Sequence, residues 1–205
     1  MKKLELKSSL ATIGVLLIVL LLLGSCNKKE APSAPTNLTA ALMNNDCIHL
    51  SWKKVLHADY YRITVGFYKR DIMGFMLAET YEVSLGEVSG TVYDDRFPFE
   101  GTNYYKIEAV NEYGSSPCSE VSCDYPVSEE VFLLPNPATD NLFVETNNIT
   151  RIIVVSFDGE TLIDLEMNYD NNDIYALPLG QVDPGIYFIH IFSELGETVK
   201  RVVKL

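Results

Sequence analysis

Short runs of alternating apolar and polar residues, cut by turn signals, set the fold of this chain. Cys47-Ile48-His49-Leu50-Ser51-Trp52 places Ile48, Leu50 and Trp52 on one face. Tyr61, Ile63 and Val65 share a face in the next run, opposite Tyr60, Arg62 and Thr64, and Tyr105, Ile107 and Ala109 do the same against Tyr104, Lys106 and Glu108. Successive side chains on a strand point to opposite faces, so a period of two marks a half-buried strand. No helical periodicity competes with it between residues 34 and 125. About seven such runs in about 90 residues predict two packed antiparallel sheets. Further runs follow at Leu142 to Val144, Arg151 to Phe157, Thr161 to Glu166, Ile174 to Leu179, Gly185 to Phe192 and Val199 to Lys204. Asp158-Gly159 predicts a two-residue hairpin turn. The predicted class is all-β, two tandem antiparallel β-sandwiches over residues 35–125 and 131–205. An acidic, Pro-bounded link at 126–130 joins them.

The N-terminus reads as an address rather than as structure. Lys2, Lys3 and Lys7 precede an apolar stretch from Leu10 to Leu23. At about 14 residues it falls short of the roughly 20 that a spanning helix needs, so it predicts a secretory signal peptide over 1–26. Its ending, Leu23-Gly24-Ser25-Cys26, resembles a bacterial lipobox. That resemblance implies lipidation of Cys26, which becomes the first mature residue, and an outer-membrane lipoprotein exposed at the cell surface or secreted. Residues 27–34, polar and Pro-rich, read as a flexible tether. The whole chain of 205 residues carries a net charge of −12. Without the leader's three Lys and one Glu, 13 basic face 27 acidic side chains, a charge of −14. A nucleic-acid partner is excluded, because binding phosphates needs basic surface.

In the first sandwich, Pro35 to Leu38, Leu50-Ser51-Trp52 and Ala58 to Ile63 resemble strands A, B and C of a fibronectin type III domain. Tyr105 to Ser116 resembles its strand F and the following loop. The position of the family's corner tyrosine falls on Asn103, with Tyr104 beside it. Arg70 to Tyr81, apolar for a connection, reads as a long C–C′ hairpin or a partner surface, with Phe75, Met76 and Leu77 as its apolar patch. The resemblance implies that Cys47, opening strand B, and Cys123, closing strand G, meet at one pole. They are then a disulfide pair, or else small buried hydrophobes. Cys118 and Cys123, about 17 Å apart on an extended strand, do not reach each other. That leaves Cys118 free or paired with a partner.

The second sandwich carries three marks in order: Pro135-Asn136-Pro137, Gly185-Ile186-Tyr187-Phe188-Ile189 and Lys200-Arg201-Val202-Val203-Lys204-Leu205. Together they resemble the C-terminal sorting domain of type IX secretion cargo. The resemblance implies a type IX translocon as partner, with Pro135, Asn136, Pro137, Gly185, Tyr187, Lys200 and Lys204 as the sorting motif. Two prolines fix φ twice and keep the linker out of the sheet. Gly185 permits a sharp entry into its strand. The basic ending offers a contact for an acidic receptor. Two addresses thus stand on one chain.

No catalytic constellation, cofactor motif or metal-ligand spacing is present, and the chain reads as a non-enzyme. His49, His57 and His190 read as strand or near-strand residues. The acidic clusters Asp94-Asp95 and Asp170-Asn171-Asn172-Asp173 read as solvated turns. The aromatic and basic side chains of Tyr60, Arg62, Tyr104 and Lys106 are the predicted binding surface, for a protein or glycan ligand. The leading expectation is an adhesion or scaffolding module. The alternatives are a carbohydrate-binding accessory protein and a signalling or assembly factor of the secretion machinery.

Overall fold

Fifteen strands and their turns make up the computed structural model, which describes residues 30–44, 46–71, 73–128, 130–167, 174–194 and 196–205. The leader, Cys26 and the Asp170–Asp173 cluster lie outside the described residues.

The first sandwich sets β1 (Thr36–Met43), β2 (Cys47–Lys53) and β5 (Val92–Asp95) against a sheet in which β3 (Tyr60–Arg70) and β6 (Gly101–Asn111) are central. β4 (Met76–Val88) lines the outer edge of β3, while β7 (Gly114–Ser115) and β8 (Ser119–Tyr125) both pair with β6. In the resemblance's lettering this is A-B-E facing C′-C-F-G. The period-two faces are buried as read: Ile48, Leu50 and Trp52, then Tyr61, Ile63 and Val65, then Tyr105, Ile107 and Ala109, all fill one core. Trp52 meets Tyr61 edge-on at 5.3 Å, and the Tyr61 hydroxyl accepts a hydrogen bond from the Val55 amide at 2.8 Å. Residues 70–81 form a hairpin whose strands pair from Tyr68↔Thr80 to Arg70↔Met76. Asp71 Oδ1 closes its tip by accepting from the Met73 and Phe75 amides at 2.9 and 3.0 Å, leaving Met73, Phe75 and Met76 exposed.

Asn103 replaces the corner tyrosine. In related sandwiches a tyrosine hydroxyl bonds back to upstream backbone. Here the fully buried Asn103 amide does so from both ends. Its Oδ1 accepts from the Phe99 amide at 3.0 Å, and its Nδ2 donates to the carbonyls of Phe99 at 2.7 Å and Gly101 at 3.1 Å. A side chain with both a donor and an acceptor can close a corner that a phenol closes with one group.

The second sandwich sets β9 (Phe132–Leu134), β10 (Asn141–Glu145) and β13 (Ile174–Pro178) against β11 (Arg151–Ser156), β12 (Thr161–Glu166), β14 (Gly185–Ser193) and β15 (Gly196–Lys204). The sheet orders are β13-β10-β9 and β12-β11-β14-β15. Leu142, Val144, Ile152, Val154, Leu177, Ile189 and Ile191 form its core. The turn at Asp158-Gly159 is wider than the two-residue hairpin expected. Ser156 donates to the Glu160 carbonyl at 2.8 Å, which leaves three residues in the loop. Gly159 sits at φ +91°, and the register slips between Val154 and Val155. This is a three-residue loop with a glycine in the left-handed region.

Asn103→Ala leaves an amide and two carbonyls unpartnered in a buried corner. It is expected to cost about 3 kcal/mol of stability, measured by urea unfolding through the fluorescence of Trp52, the single tryptophan. Tyr104→Phe, on a half-exposed ring, should change the same midpoint by less than about 0.5 kcal/mol.

Candidate functional site

β15 is buried on both faces over its last four residues, Arg201 to Lys204. Strand alternation explains how. Val202 joins the second core, whereas Val203 packs into the first. Arg201 shares the face of Val203 and meets Asp95 at the end of β5. Its Nη2 donates to Asp95 Oδ1 at 2.6 Å and its Nη1 to Oδ2 at 3.1 Å, in the two-pronged geometry that guanidinium and carboxylate prefer. Asp95 is wholly buried, and the Arg201 side chain is 3% exposed.

The rest of the Asp95 shell is complete. The Tyr105 hydroxyl donates to Oδ2 at 2.9 Å and the Phe97 amide to Oδ1 at 3.2 Å. Burial, and then the Asp95 charge, hold the Tyr105 hydroxyl far above its ordinary pKa, so it stays protonated and donates. The Arg201 guanidinium carbon lies 5.2 Å from the Phe99 ring centre and 5.9 Å from that of Phe188. Phe97 reaches Phe188 at 4.8 Å, so aromatic rings from both sandwiches surround the ion pair. Lys200 adds a second bridge. Its ammonium donates to Glu100 of the first sandwich and to the Val131 carbonyl, and burial pushes its pKa down.

Pro135-Asn136-Pro137 sits at the same seam. The Asn136 backbone exchanges two hydrogen bonds with Arg70 at the end of β3, at 3.0 and 3.2 Å. Its side chain donates to the Arg201 carbonyl and accepts from the Val203 amide, both at 3.1 Å. One residue therefore stitches β3 to β15. The prolines do not keep the segment wholly out of the sheet. Ala138 donates to the Val203 carbonyl at 2.7 Å and accepts from Leu205 at 2.9 Å, a single parallel bridge.

The remaining sequence candidates divide clearly. Tyr187 is buried, and its hydroxyl donates to the Asp183 carbonyl four residues upstream at 2.7 Å, a corner for the second sandwich. Gly185 is not among the glycines with positive φ, and a Cβ there would make ordinary contact with Tyr187 at 3.5 Å. Sharp entry therefore does not explain it. Lys204 is buried, not presented for docking.

Tyr60 and Tyr104 share the outer face but not a platform. Tyr60 pairs with Val110 and Tyr104 with Gly66, six residues apart along each strand, or about 20 Å. Tyr104 instead meets Tyr68 edge-on at 5.8 Å, an aromatic pair the sequence reading missed. Arg62 is held by Glu108 and Glu87 at 3.3 and 3.4 Å, and Lys106 by Glu82 at 2.6 Å.

Cys47, Cys118 and Cys123 are free thiols. The expected Cys47–Cys123 bridge is absent because β1 lies against β8, and the Cys123 thiol meets backbone at Leu42. Tyr125, two residues further on, is the side chain that reaches the β1–β2 turn, through Asp46 at 3.5 Å. Asp95 corrects the reading of Asp94-Asp95 as a solvated turn, since only Asp94 is exposed, against His49 at 2.6 Å. Tyr93 and Asp95 share the inward face of β5, so the period of two held a signal for Asp95. Among the described residues no group of three His, Cys, Asp or Glu is placed to hold a metal ion.

Arg201→Met strands a buried carboxylate and is expected to cost about 3–5 kcal/mol, read from the urea transition. Adding Asp95→Asn should recover part of that loss. A double-mutant coupling below about 0.5 kcal/mol would mean that the two side chains act independently.

Residues 132–205 match the family described as secretion system C-terminal sorting domain. No curated protein matches the chain. Among solved structures it is similar to the FN5 domain of Drosophila Lar, at 20% identity, covering 48% of this chain and 100% of that one, with a TM-score of 0.34. It is also similar to a two-domain fibronectin type III segment of chicken tenascin, at 17% identity, covering 82% and 97%, with a TM-score of 0.34. The match to the sorting-domain family is confined to the C-terminal sandwich, and it supports export to the cell surface or secretion.

Proposed function

We propose that this protein is a non-enzymatic lipoprotein of the cell surface, anchored through Cys26. In this reading residues 35–125 act as an adhesion or scaffolding module, and residues 131–205 are read by a type IX translocon. One observation carries the export half: the family match over 132–205 spans all three marks, from Pro135-Asn136-Pro137 to the basic β15. The lipid anchor rests on Leu23-Gly24-Ser25-Cys26 behind a basic and apolar leader. Adhesion rests on the sandwich itself, a fold that serves many binding roles. The glycan-binding reading loses support from the 20 Å separation of Tyr60 and Tyr104, since a flat sugar platform needs neighbouring rings. The perpendicular Tyr68–Tyr104 pair does not replace it.

Localisation in the native host tests the proposal, comparing the full chain with a version ending before Pro135. Protease shaving of whole cells should degrade the full chain and spare the truncated one, and the intact mass should carry lipid on Cys26. If both forms are shaved alike, the C-terminal sandwich is not the export signal. A mass without lipid removes the anchor from the proposal. Asn136→Ala and Lys200→Gln in the full chain keep the truncation from being the sole argument. Both should lower surface exposure in whole cells by more than any fall in the urea midpoint of the purified chain explains, since both side chains also tie the seam.

A further inference from the structure

We propose that the cavity between the two sandwiches binds a small organic carboxylate, a monoanion carried on an apolar or aromatic body. The cavity encloses about 250 Å³ at the seam. That is at the small end for ligand sites and suits something the size of benzoate rather than an oligosaccharide. Tyr68, Phe97 and Tyr125 supply aromatic wall, while Arg70, Lys200 and Arg201 bring three cations to it.

The charges there do not balance. Arg201 is neutralised by Asp95 and Lys200 by Glu100. Arg70 is half-buried, and its guanidinium has no hydrogen-bond or ion-pair partner among the described residues. It lies beside Gly101, where a Cβ would stand 3.5 Å from Nη2. Its charge also reaches Lys200 and adds to the effect of burial in disfavouring the charged ammonium. A second donor is idle as well: Arg201 Nε is buried and unpartnered among the described residues. Two cations held close with a single carboxylate, Glu100, between them are costly in a low-dielectric seam. An arrangement of this kind inside a chain of net charge −12 is a built receptor for an anion. The excess inside the cavity is one half-buried charge, which a carboxylate matches and a phosphate dianion overshoots. The guanidinium fork of Arg70 suits a carboxylate's two oxygens. Arg96, exposed at the cavity mouth, adds attraction on approach. The site is independent of the export reading, since it rests on charge and space alone.

Three probes titrated into the full chain test this, followed by side-chain NMR of the arginines and tyrosines. Benzoate should bind saturably, with a Kd of about 1 mM. Benzyl alcohol, its neutral counterpart, should bind at least about tenfold more weakly. Arg70→Gln should weaken benzoate by at least about tenfold, with the urea midpoint unchanged, and Arg70→Lys by less. Added salt should weaken benzoate but not benzyl alcohol. The proposal is overturned if benzoate does not saturate, if the neutral probe binds equally well, or if Arg70→Gln has no effect. It is also overturned if inorganic phosphate binds these residues more tightly than benzoate, because the ligand is then not a monoanion on an apolar body.

Discussion

A buried carboxylate with a guanidinium clamped across it organises this molecule. Asp95 belongs to one sandwich and Arg201 to the other. Removing either from water is expensive, and only two-pronged contact with a full set of further donors offsets that expense. The donors come from the first sandwich, from Tyr105 and the Phe97 amide. The aromatic surround comes from both. The pair therefore does more to fix a relation than to add stability. An apolar seam tolerates sliding, whereas a two-pronged ion pair enclosed by rings is satisfied in one register. Asn136 repeats the logic without charge, since its backbone takes β3 and its amide takes β15.

What was legible in the sequence follows from how local the governing rule is. Ile48, Leu50 and Trp52 announce their burial within six residues, because pleating acts between neighbours. Tyr187 and Gly185 were found as parts of a mark, but the corner bond to Asp183 was not. Asn103 was placed at the right corner with its amide chemistry unrecognised. The Asp158-Gly159 turn was located correctly and its length misjudged, because one slipped register at Val154 is invisible in composition.

The seam was hidden for a different reason. Asp95 and Arg201 stand 106 residues apart, and no periodicity links them. Each reads locally as a solvated charge. What they share is an inward strand position, Asp95 beside Tyr93 and Arg201 beside Val203. A charge on the buried phase of a strand is the local trace of a distant partner. By that rule the basic ending of β15, read as a contact for an external acidic receptor, already has acidic contacts in Asp95 and Glu100.

The two-faced burial of β15 also imposes a timetable. Val203 completes the core of a sandwich whose other strands are finished by Tyr125. A ribosome adding about 5–20 residues per second leaves Asp95 without its guanidinium for roughly 5–20 s. Through that interval Phe97 and Phe99 border an open seam. The early half of the chain waits on the late half, and any machine that threads the polypeptide from its N-terminus handles the first sandwich before it is sealed.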